Sequence, residues 1–223
     1  MSLEKMLATQ EQLDNRIIAE RGIVWTDEER FRNTLVALDV EISEFANEGC
    51  WFKVWSDDQE PRTWFPNERD VCDSCKVEPI FIENKKIVGQ CEDCDGCGVH
   101  FHNPLLEEYV DAVHFFLSIA NQKGWKEHLY LHEEAILELE EKGFDGGING
   151  VYLELKSFIA KMSHDKNEPN FFLTYSKHEF CFRTAWFLFI AIGMIQFGFT
   201  FEQIEEAYFA KNKMNHERQD NGY

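Results

Sequence analysis

Two pairs of acidic residues have the spacing that could support chemistry in this chain of 223 residues. Glu41 and Glu44 are three residues apart, as are Glu108 and Asp111, so each pair projects from one face of a helix. Most ExxE pairs belong to a solvated acidic face, but the segment around Asp111 leaves almost no polar face on its helix. Carboxylates held together at the border of a core repel each other and are costly to desolvate, and a bound cation is the usual remedy.

If the two helices pack antiparallel, the four carboxylates can surround a common point. Hard oxygen ligands favour Mg²⁺, with Mn²⁺ as a substitute, and leave coordination sites for phosphate oxygens and a water. Near the C-terminus, Lys211, Asn215 and Arg218 recur at i, i+4 and i+7. Basic residues there could simply favour the helix dipole. In a chain with a formal net charge of −19, we interpret them as a phosphate clamp.

A cysteine-rich segment separates the two carboxylate pairs. Its two CxxC motifs are fifteen residues apart, which is the spacing of a zinc ribbon. Four thiolates would close a tetrahedral Zn²⁺ site with no open position, so its expected role is structural. The alternative is a loop of cysteines that bind no metal. However, so small a segment has too little hydrophobic core to fold without a bound metal or another cross-link. The expected ligands are Cys72, Cys75, Cys91 and Cys94, with Cys97 as an alternative fourth ligand.

Helical periodicity dominates the rest of the chain. Capping boxes at Thr26 and Thr200, and an Asn-Pro start at Asn103, mark three helix N-termini, and Ser2 is available to cap the first helix. The predicted fold class is all-α, with a multi-helix bundle over residues 1–56 and 102–223. A zinc-ribbon-like β-hairpin insert is expected at 57–101, with strands at 77–82 and 87–88. The predicted helices are 2–20, 26–49, 103–123, 133–141, 151–162, 176–197, and one from 200 onward.

The composition argues against several classes of function. A net charge of −19 disfavours nucleic-acid binding, whose affinity comes from Lys and Arg that neutralise phosphates. We expect no membrane partner, since no stretch approaches the roughly 20 apolar residues needed to cross a bilayer. The N-terminus lacks the layout of a signal peptide, so the expected location is cytoplasmic. Clustered cysteines in that compartment favour metal binding over disulfides.

The acidic motifs resemble those of a known superfamily. Glu41-x-x-Glu44 followed by Glu108-x-x-Asp111 is similar to the ExxE…ExxD signature of the all-α, MazG-like nucleoside triphosphate pyrophosphohydrolases. The resemblance covers residues 1 to about 56 and 104 to 223. Either acidic motif alone is a weak signal, whereas the ordered set of four motifs, made of these two and the N-terminal and C-terminal motifs described next, is strong.

More narrowly, the chain resembles the dimeric dUTPases. Gln10-x-x-Leu13-Asp14 is similar to the base-recognition motif of that family, in which Asn often stands in place of Asp14. The ending from Tyr208 to Tyr223 is similar to its C-terminal motif. The cysteine-rich insert is the main departure, because the family joins its two acidic pairs by a much shorter connection.

The resemblance implies a Mg²⁺-dependent homodimer that hydrolyses dUTP to dUMP and pyrophosphate, with one Glu of the first pair as the base. The sequence leaves open which Glu that is. The implied metal ligands are Glu41, Glu44, Glu108 and Asp111; the implied phosphate ligands are Lys53, Lys211, Asn215 and Arg218; the implied base contacts are Gln10 and Asp14.

Two alternatives stay open at this point. The same fold could act on dCTP or on several nucleotides. A different class altogether is a non-enzymatic zinc-ribbon interaction protein on a helical scaffold. That alternative needs solvent-facing carboxylate pairs, and it leaves Asp111 and the C-terminal match unexplained.

Overall fold

The computed structural model describes residues 2–73, 94, 98–169 and 174–222. Over that part of the chain, seven α-helices and one short two-stranded sheet are present, which confirms the all-α fold class. The helices are α1 (Leu3–Glu20), α2 (Asp27–Gly49), α3 (Pro104–Lys123), α4 (Glu133–Lys142), α5 (Gly147–His164), α6 (Lys177–Ala191) and α7 (Phe201–Asp220); the strands are β1 (Phe65–Val71) and β2 (Val99–His102).

The chain divides into two compact units. The helical unit comprises Met1–Asn47 and Glu107–Tyr223, and the insert unit comprises Glu48–Leu106. The insert unit is therefore longer at both ends than the insert that we expect at 57–101. Two contacts between Arg62 and Glu48 fix its start. Arg62 N donates a backbone hydrogen bond to Glu48 O at 3.0 Å, and the side chains of the two residues form an ion pair at 3.2 Å.

The predicted capping boxes form at α2 and α7. Thr26 Oγ1 accepts from Glu29 N at 3.2 Å, while Thr26 N donates to the Glu29 carboxylate at 2.9 Å. The Thr200 and Gln203 pair repeats this arrangement. Each box satisfies backbone donors that have no partner inside the helix, so the starts of α2 and α7 were predictable from sequence.

The start of α1 differs from the sequence expectation. Ser2 occupies the N-cap position, but its side chain makes no capping hydrogen bond. Instead the backbone N–H of Ser2 donates to the Glu205 carboxylate at 2.8 Å. The first turn of α1 is therefore tied to α7, a contact that only the folded chain provides.

Helices α2 and α3 run antiparallel. Gln122 Nε2 donates to Thr34 Oγ1 at 2.8 Å, so the C-terminal end of α3 lies beside the first half of α2. Farther along α2, Glu41 lies beside Glu108 and Asp111, near the start of α3. Residue numbers thus rise along α2 as they fall along α3, which is the arrangement that brings two acidic pairs to one place.

Close packing against α6 fixes the rotation of α3. The Tyr109 ring stacks on Phe189 with centroids 4.3 Å apart, and its hydroxyl donates to Phe189 O. Gly193, in a π-helical turn after α6, leaves room for that ring, because a Cβ there would lie 2.5 Å from it. Since Tyr109 follows Glu108, this contact holds the acidic pair on the opposite side of α3.

The most apolar helical segment lies within the helical unit. Contrary to the sequence expectation, Lys177–Gln196 is long and apolar enough to cross a membrane, and it is the one such segment among the described residues. However, 56% of its most apolar window is buried in the protein. The core helix of a water-soluble protein has these properties.

In the insert unit, β1 and β2 pair antiparallel, with Phe65 opposite His102 and Val71 opposite Val99. The pairing continues into the cysteine-rich segment, since Cys72 N donates to Gly98 O at 2.9 Å. The two strands therefore bring the entrance and exit of that segment together. The strands that we expect at 77–82 and 87–88 lie outside the described residues.

Candidate active site

Three of the four predicted carboxylates meet in the helical unit. Oxygens of Glu41, Glu108 and Asp111 all lie within 4.8 Å of one another, and each side chain is half-buried. Glu44 lies outside this group of three and is exposed. It is nevertheless close enough for its charge to raise the pKa values of Glu41 and Glu108. We call Glu41, Glu108 and Asp111 the carboxylate cluster.

The protonation of the cluster reflects its burial and its like charges. Desolvation, together with the charge of Asp111, raises the pKa of Glu41 to about 7, and the same two causes raise the pKa of Glu108 to about 7. Lys211 acts against both rises. Because a cation would favour the ionised forms, the cluster is a site whose charge calls for a positive ligand.

Lys211 provides the nearest positive charge. Its ammonium donates to Asp111 Oδ2 at 2.5 Å, and the two side chains are only 15% and 18% exposed. Burial still raises the pKa of Asp111, although the charge and hydrogen bond of Lys211 act against that rise. One ammonium therefore neutralises one of the three carboxylates.

The other members of the predicted phosphate clamp lie farther along α7. Arg218 Nη1 donates to Asn215 Oδ1 at 3.3 Å, and Arg218 is exposed. The charge of Arg218 also lowers the pKa of Asp111. The structure thus directs two cations of α7, Lys211 and Arg218, toward the carboxylate cluster.

The donor set of the cluster fits a small divalent cation. Mg²⁺ takes oxygen ligands at 2.0–2.1 Å, so ligands on opposite sides of the ion lie about 4 Å apart. Ligands at right angles around the ion lie about 3 Å apart, so the carboxylate oxygens, at separations of up to 4.8 Å, must draw together when they bind it. No cysteine or histidine belongs to this cluster, which favours hard cations over Zn²⁺.

A buried hydrogen-bond network surrounds Gln10 on α1. Gln10 is only 4% exposed, and its carbonyl oxygen accepts from His114 Nδ1 (2.6 Å) and the Tyr208 hydroxyl (3.1 Å). Its amide nitrogen donates to Asp14 Oδ1 (2.7 Å) and Ser118 Oγ (3.1 Å). We call these five residues the Gln10 network. All the hydrogen-bonding capacity of Gln10 is used within it.

His114 is a member of this network, as a buried core histidine. Burial lowers its pKa to about 3, with a further contribution from the charge of Lys211. The ring stacks on Tyr208 with centroids 4.3 Å apart. His114 is therefore neutral at physiological pH, and its Nδ1–H donates to Gln10.

A pocket of about 200 Å³ opens beside the network, between α1, α2 and α3. Asp14, Arg30, Ser118 and Gln122 contribute polar groups to its lining. Ser118 is seven residues after Asp111 on α3, which corresponds to roughly 10 Å along the helix. The pocket and the carboxylate cluster thus lie on one stripe of α3. Its apolar lining comes from Ile17, Ile18, Ile23, Trp25, Ala37 and Phe115.

A comparison with protein-family models identifies the class of enzyme. The model described as dUTPase matches residues 2–68 and 100–223. The chain belongs to the dUTPase family. No match to the chain was found among curated proteins. Membership of the dUTPase family makes this chain a dUTP diphosphatase, whose substrate is a nucleotide.

The family match skips residues 69–99, which contain all five clustered cysteines. Two of them lie in the described part of the chain, and both are buried: Cys72 at 1% and Cys94 at 6% exposure. Cys94 Sγ accepts a hydrogen bond from Gly98 N at 3.2 Å. Burial and an N–H donor suit a metal-bound thiolate. Cys75, Cys91 and Cys97 lie outside the described residues, so the zinc site stays a prediction.

Lys53, the remaining predicted phosphate ligand of this dUTPase, belongs to the insert unit. There its ammonium donates to Cys50 Sγ at 3.6 Å and lies 5.8 Å from the centre of the Phe52 ring. Its role with phosphate stays a prediction.

Sequence reasoning did not identify two features of the site. The first is the pocket itself, because its walls come from three helices. The second is Arg30, whose guanidinium lies 3.4 Å from Asp14 Oδ2. A signal for Arg30 was present, since an acidic residue where the family often has Asn calls for a compensating cation.

Proposed function

We propose that this dUTPase hydrolyses dUTP to dUMP and pyrophosphate in a reaction that depends on Mg²⁺. The observation that carries the proposal is the carboxylate cluster, held half-buried with raised pKa values beside Lys211. Such an arrangement is unfavourable in a protein without a ligand, and a divalent cation relieves it. The neighbouring pocket supplies space for a base at the distance that a nucleotide spans.

Glu41, Glu108 and Asp111 would hold Mg²⁺, with Glu44 at the edge of the site, and Mn²⁺ would serve as a substitute. When bound, the ion polarises phosphate oxygens and neutralises the charge that develops on them. Lys211 would exchange Asp111 for a phosphate oxygen of the substrate. Asn215 and Arg218 would complete the phosphate contacts, and Lys53 stays a predicted phosphate ligand.

We assign the role of general base to Glu44. Glu41 belongs to the group of three carboxylates that converge on one point, whereas Glu44 is exposed beside them. A carboxylate committed to a cation is a weaker base than one that stays outside the ligand set. Glu44 therefore has the freedom to orient a water and to accept its proton.

Glu41→Gln and Glu44→Gln variants test this assignment, with Glu28→Gln as the matched control, since Glu28 lies on the same helix and pairs with Arg32. We expect both site variants to lose hydrolysis, but only Glu41→Gln to lose Mg²⁺ affinity, as measured by calorimetry. An active Glu44→Gln enzyme, or a Glu44→Gln enzyme that no longer binds Mg²⁺, would contradict the role of Glu44 as base.

The base of the substrate would occupy the pocket, with Asp14 as a contact. Gln10 is saturated by the network, so we assign it the role of holding Asp14 in place rather than that of a direct contact with uracil. Asp14 lines the pocket and is 14% exposed. This position suits a group that reads a base edge.

A nucleotide profile is the experiment that tests the proposed function. Release of pyrophosphate is measured with dUTP, dCTP, dTTP and UTP, each with and without Mg²⁺. We expect fast turnover of dUTP with Mg²⁺ and none after chelation. Equal rates with dUTP and dCTP would favour the broader pyrophosphohydrolase, and no turnover of any nucleotide would favour the non-enzymatic interaction protein.

We also propose a structural Zn²⁺ in the cysteine-rich segment, held by four of the five clustered cysteines. Zinc content is measured on a Cys72→Ser, Cys75→Ser double variant, with Cys181→Ser as the control because Cys181 lies on α6. Unchanged zinc content in the double variant would refute the site. We further propose that the protein is a homodimer, which sedimentation of the purified protein tests. We also propose that its location is cytoplasmic.

A further inference from the structure

Asp14 is held at the edge of the pocket by donors on both sides. Its Oδ1 accepts from Gln10 Nε2 at 2.7 Å, and its Oδ2 lies 3.4 Å from Arg30 Nη2. The Gln10 amide cannot turn over, because its nitrogen faces the Asp14 carboxylate, which only accepts hydrogen bonds, while His114 donates to its oxygen. The network therefore fixes the position of the Asp14 carboxylate and leaves its second oxygen facing Arg30.

Arg30 has hydrogen-bonding capacity that the protein does not use. A guanidinium carries five N–H donors, yet among the described residues the only side-chain partner of Arg30 is Asp14, at the long distance of 3.4 Å. Arg30 is 27% exposed and lines the pocket together with apolar side chains. Its remaining donors are available to a ligand in that pocket.

A second polar atom in the pocket lining also lacks a partner. Gln122 Nε2 donates to Thr34 Oγ1, but Gln122 Oε1 is buried and accepts no hydrogen bond among the residues that the structure describes. A buried acceptor without a donor is costly. The wall of the pocket thus combines unused donors of Arg30 with the carboxylate of Asp14, whereas Gln122 Oε1 is closed to solvent and therefore to a ligand in the pocket.

From this geometry we infer that Arg30 is a specificity-determining residue, which reads the uracil base together with Asp14. The inference rests on the proposed function. The edge of uracil presents N3–H between two carbonyl oxygens. Asp14 accepts the hydrogen bond from N3–H, and Arg30 donates to the neighbouring carbonyl.

The opposite charges of Asp14 and Arg30 explain how an aspartate can bind the uracil base at this position. A carboxylate alone supplies acceptors only, so it matches N3–H but repels a carbonyl oxygen. Arg30 supplies the missing donor, and it also balances the charge of Asp14 near a substrate that carries a triphosphate. Cytosine has an acceptor at N3, which would face the carboxylate of Asp14 in the same register.

The first test compares Arg30→Met with Arg32→Met. Arg32 is on the same helix, but it is exposed and pairs with Glu28. For Arg30→Met we expect kcat/KM with dUTP to fall by roughly ten- to hundredfold, the effect of losing a charge-assisted hydrogen bond. The ratio of kcat/KM for dUTP to that for dCTP should fall as well. Inhibition by Mg²⁺-tripolyphosphate, which has no base, should stay unchanged. Arg32→Met should match the wild type.

A second test separates reading of the base from a merely structural role for Arg30. Replacing one carbonyl oxygen of the substrate by sulfur, in 2-thio-dUTP or 4-thio-dUTP, weakens that acceptor without touching the protein. When sulfur replaces the carbonyl oxygen that Arg30 contacts, the wild type should lose more activity than Arg30→Met does. We expect the two losses to differ by a factor of about three or more. A structural role predicts equal losses in both enzymes.

The two failures can be told apart. If the wild type does not hydrolyse dUTP, the proposed function fails. If the wild type is active but Arg30→Met behaves like Arg32→Met, or if neither thio substitution couples to Arg30, only the assignment of Arg30 is overturned.

Discussion

Two polar clusters lie along the same stripe of α3, and their electrostatics are opposite. The carboxylate cluster brings like charges together at a half-buried site, with one lysine to offset three acids. The Gln10 network is deeper, and each hydrogen-bonding position of Gln10 at its centre has a partner, whereas His114 Nε2 is buried without one among the described residues. The first cluster is unfavourable until a ligand arrives, whereas the second stabilises the fold and holds its shape. The carboxylate cluster is therefore short of positive partners, whereas most polar groups of the Gln10 network already have partners within the fold.

The largest expected effect is on catalysis, at the carboxylate cluster. Glu108→Gln removes one proposed metal ligand, and we expect kcat/KM with dUTP to fall by about a thousandfold, in the range measured when a preorganised charge-stabilising group is lost. Glu134→Gln, at an exposed position on α4, is the control and should leave the rate unchanged. A Glu108→Gln enzyme within tenfold of the wild type would remove the cluster from the active site.

The next effect is on stability, at the Gln10 network. Gln10→Leu leaves buried groups of Asp14 and His114 without their partner, so we expect the free energy of unfolding to fall by about 2–4 kcal/mol. The control is Gln12→Leu, two residues along the same helix and exposed, which should change it by less than about 0.5 kcal/mol. Urea denaturation measures the stability of both variants. Similar denaturation midpoints for Gln10→Leu and Gln12→Leu would contradict a stabilising role for the Gln10 network.

The two clusters should also differ in their dependence on pH. A carboxyl whose pKa rises from 4.5 to about 7 on folding, as for Glu41, favours the folded state below pH 4.5 and loses that contribution as the pH rises through 7. Glu41→Gln should therefore be more stable than the Mg²⁺-free wild type at pH 8, by about 1 kcal/mol after allowance for solvent screening.

This advantage of Glu41→Gln should vanish below pH 4.5, where both side chains are neutral. Urea denaturation across pH 4 to 8 checks it, and a constant difference between the two proteins would exclude the raised pKa as its cause. His114 in the Gln10 network should give the opposite trend, because its pKa falls from 6.5 to about 3 on folding: its contribution to stability is present above pH 6.5 and is lost as the pH falls toward 3.

The smallest expected effect concerns Glu44. Because its side chain is exposed, Glu44→Gln should change the free energy of unfolding by less than about 0.5 kcal/mol at any pH between 5 and 8. The catalytic loss proposed for this variant should therefore occur without a change in stability. If Glu44→Gln increased the free energy of unfolding as much as Glu41→Gln does, Glu44 would belong inside the carboxylate cluster.

Local sequence signals were sufficient to predict the starts of α2, α3 and α7, whereas α5 begins at Gly147, four residues before the predicted start. The capping boxes at Thr26 and Thr200 and the Asn103 cap, whose side chain accepts from Leu106 N at 3.0 Å, each act within four residues. The i, i+3 spacing of Glu108 and Asp111 likewise guarantees a shared face once the helix forms. Ser2 is the exception, because its backbone N–H bonds to α7, which lies about 200 positions away in the chain.

Local spacing was not sufficient to predict which carboxylates converge. Glu41 and Glu44 have equivalent positions in the motif, yet only Glu41 joins Glu108 and Asp111. The choice depends on the rotation of α2 against α3, which the edge-to-face packing of Phe45 against Tyr109 and Phe189 helps to determine. Packing of that kind involves side chains more than 60 residues apart in the sequence, and no periodicity within one helix encodes it.

The sequence by itself determined the all-α class, the starts of α2, α3 and α7, the two acidic pairs and the cation-bearing last helix, because these follow from interactions between near neighbours in the chain. Tertiary structure alone decided three further things: that Gln10 is saturated, that Glu44 stands outside the cluster, and that Arg30 faces Asp14 across a pocket. Each of these depends on the antiparallel register of α2 and α3 and on the packing of α1 against them. Such contacts between distant segments form only when the whole helical unit folds.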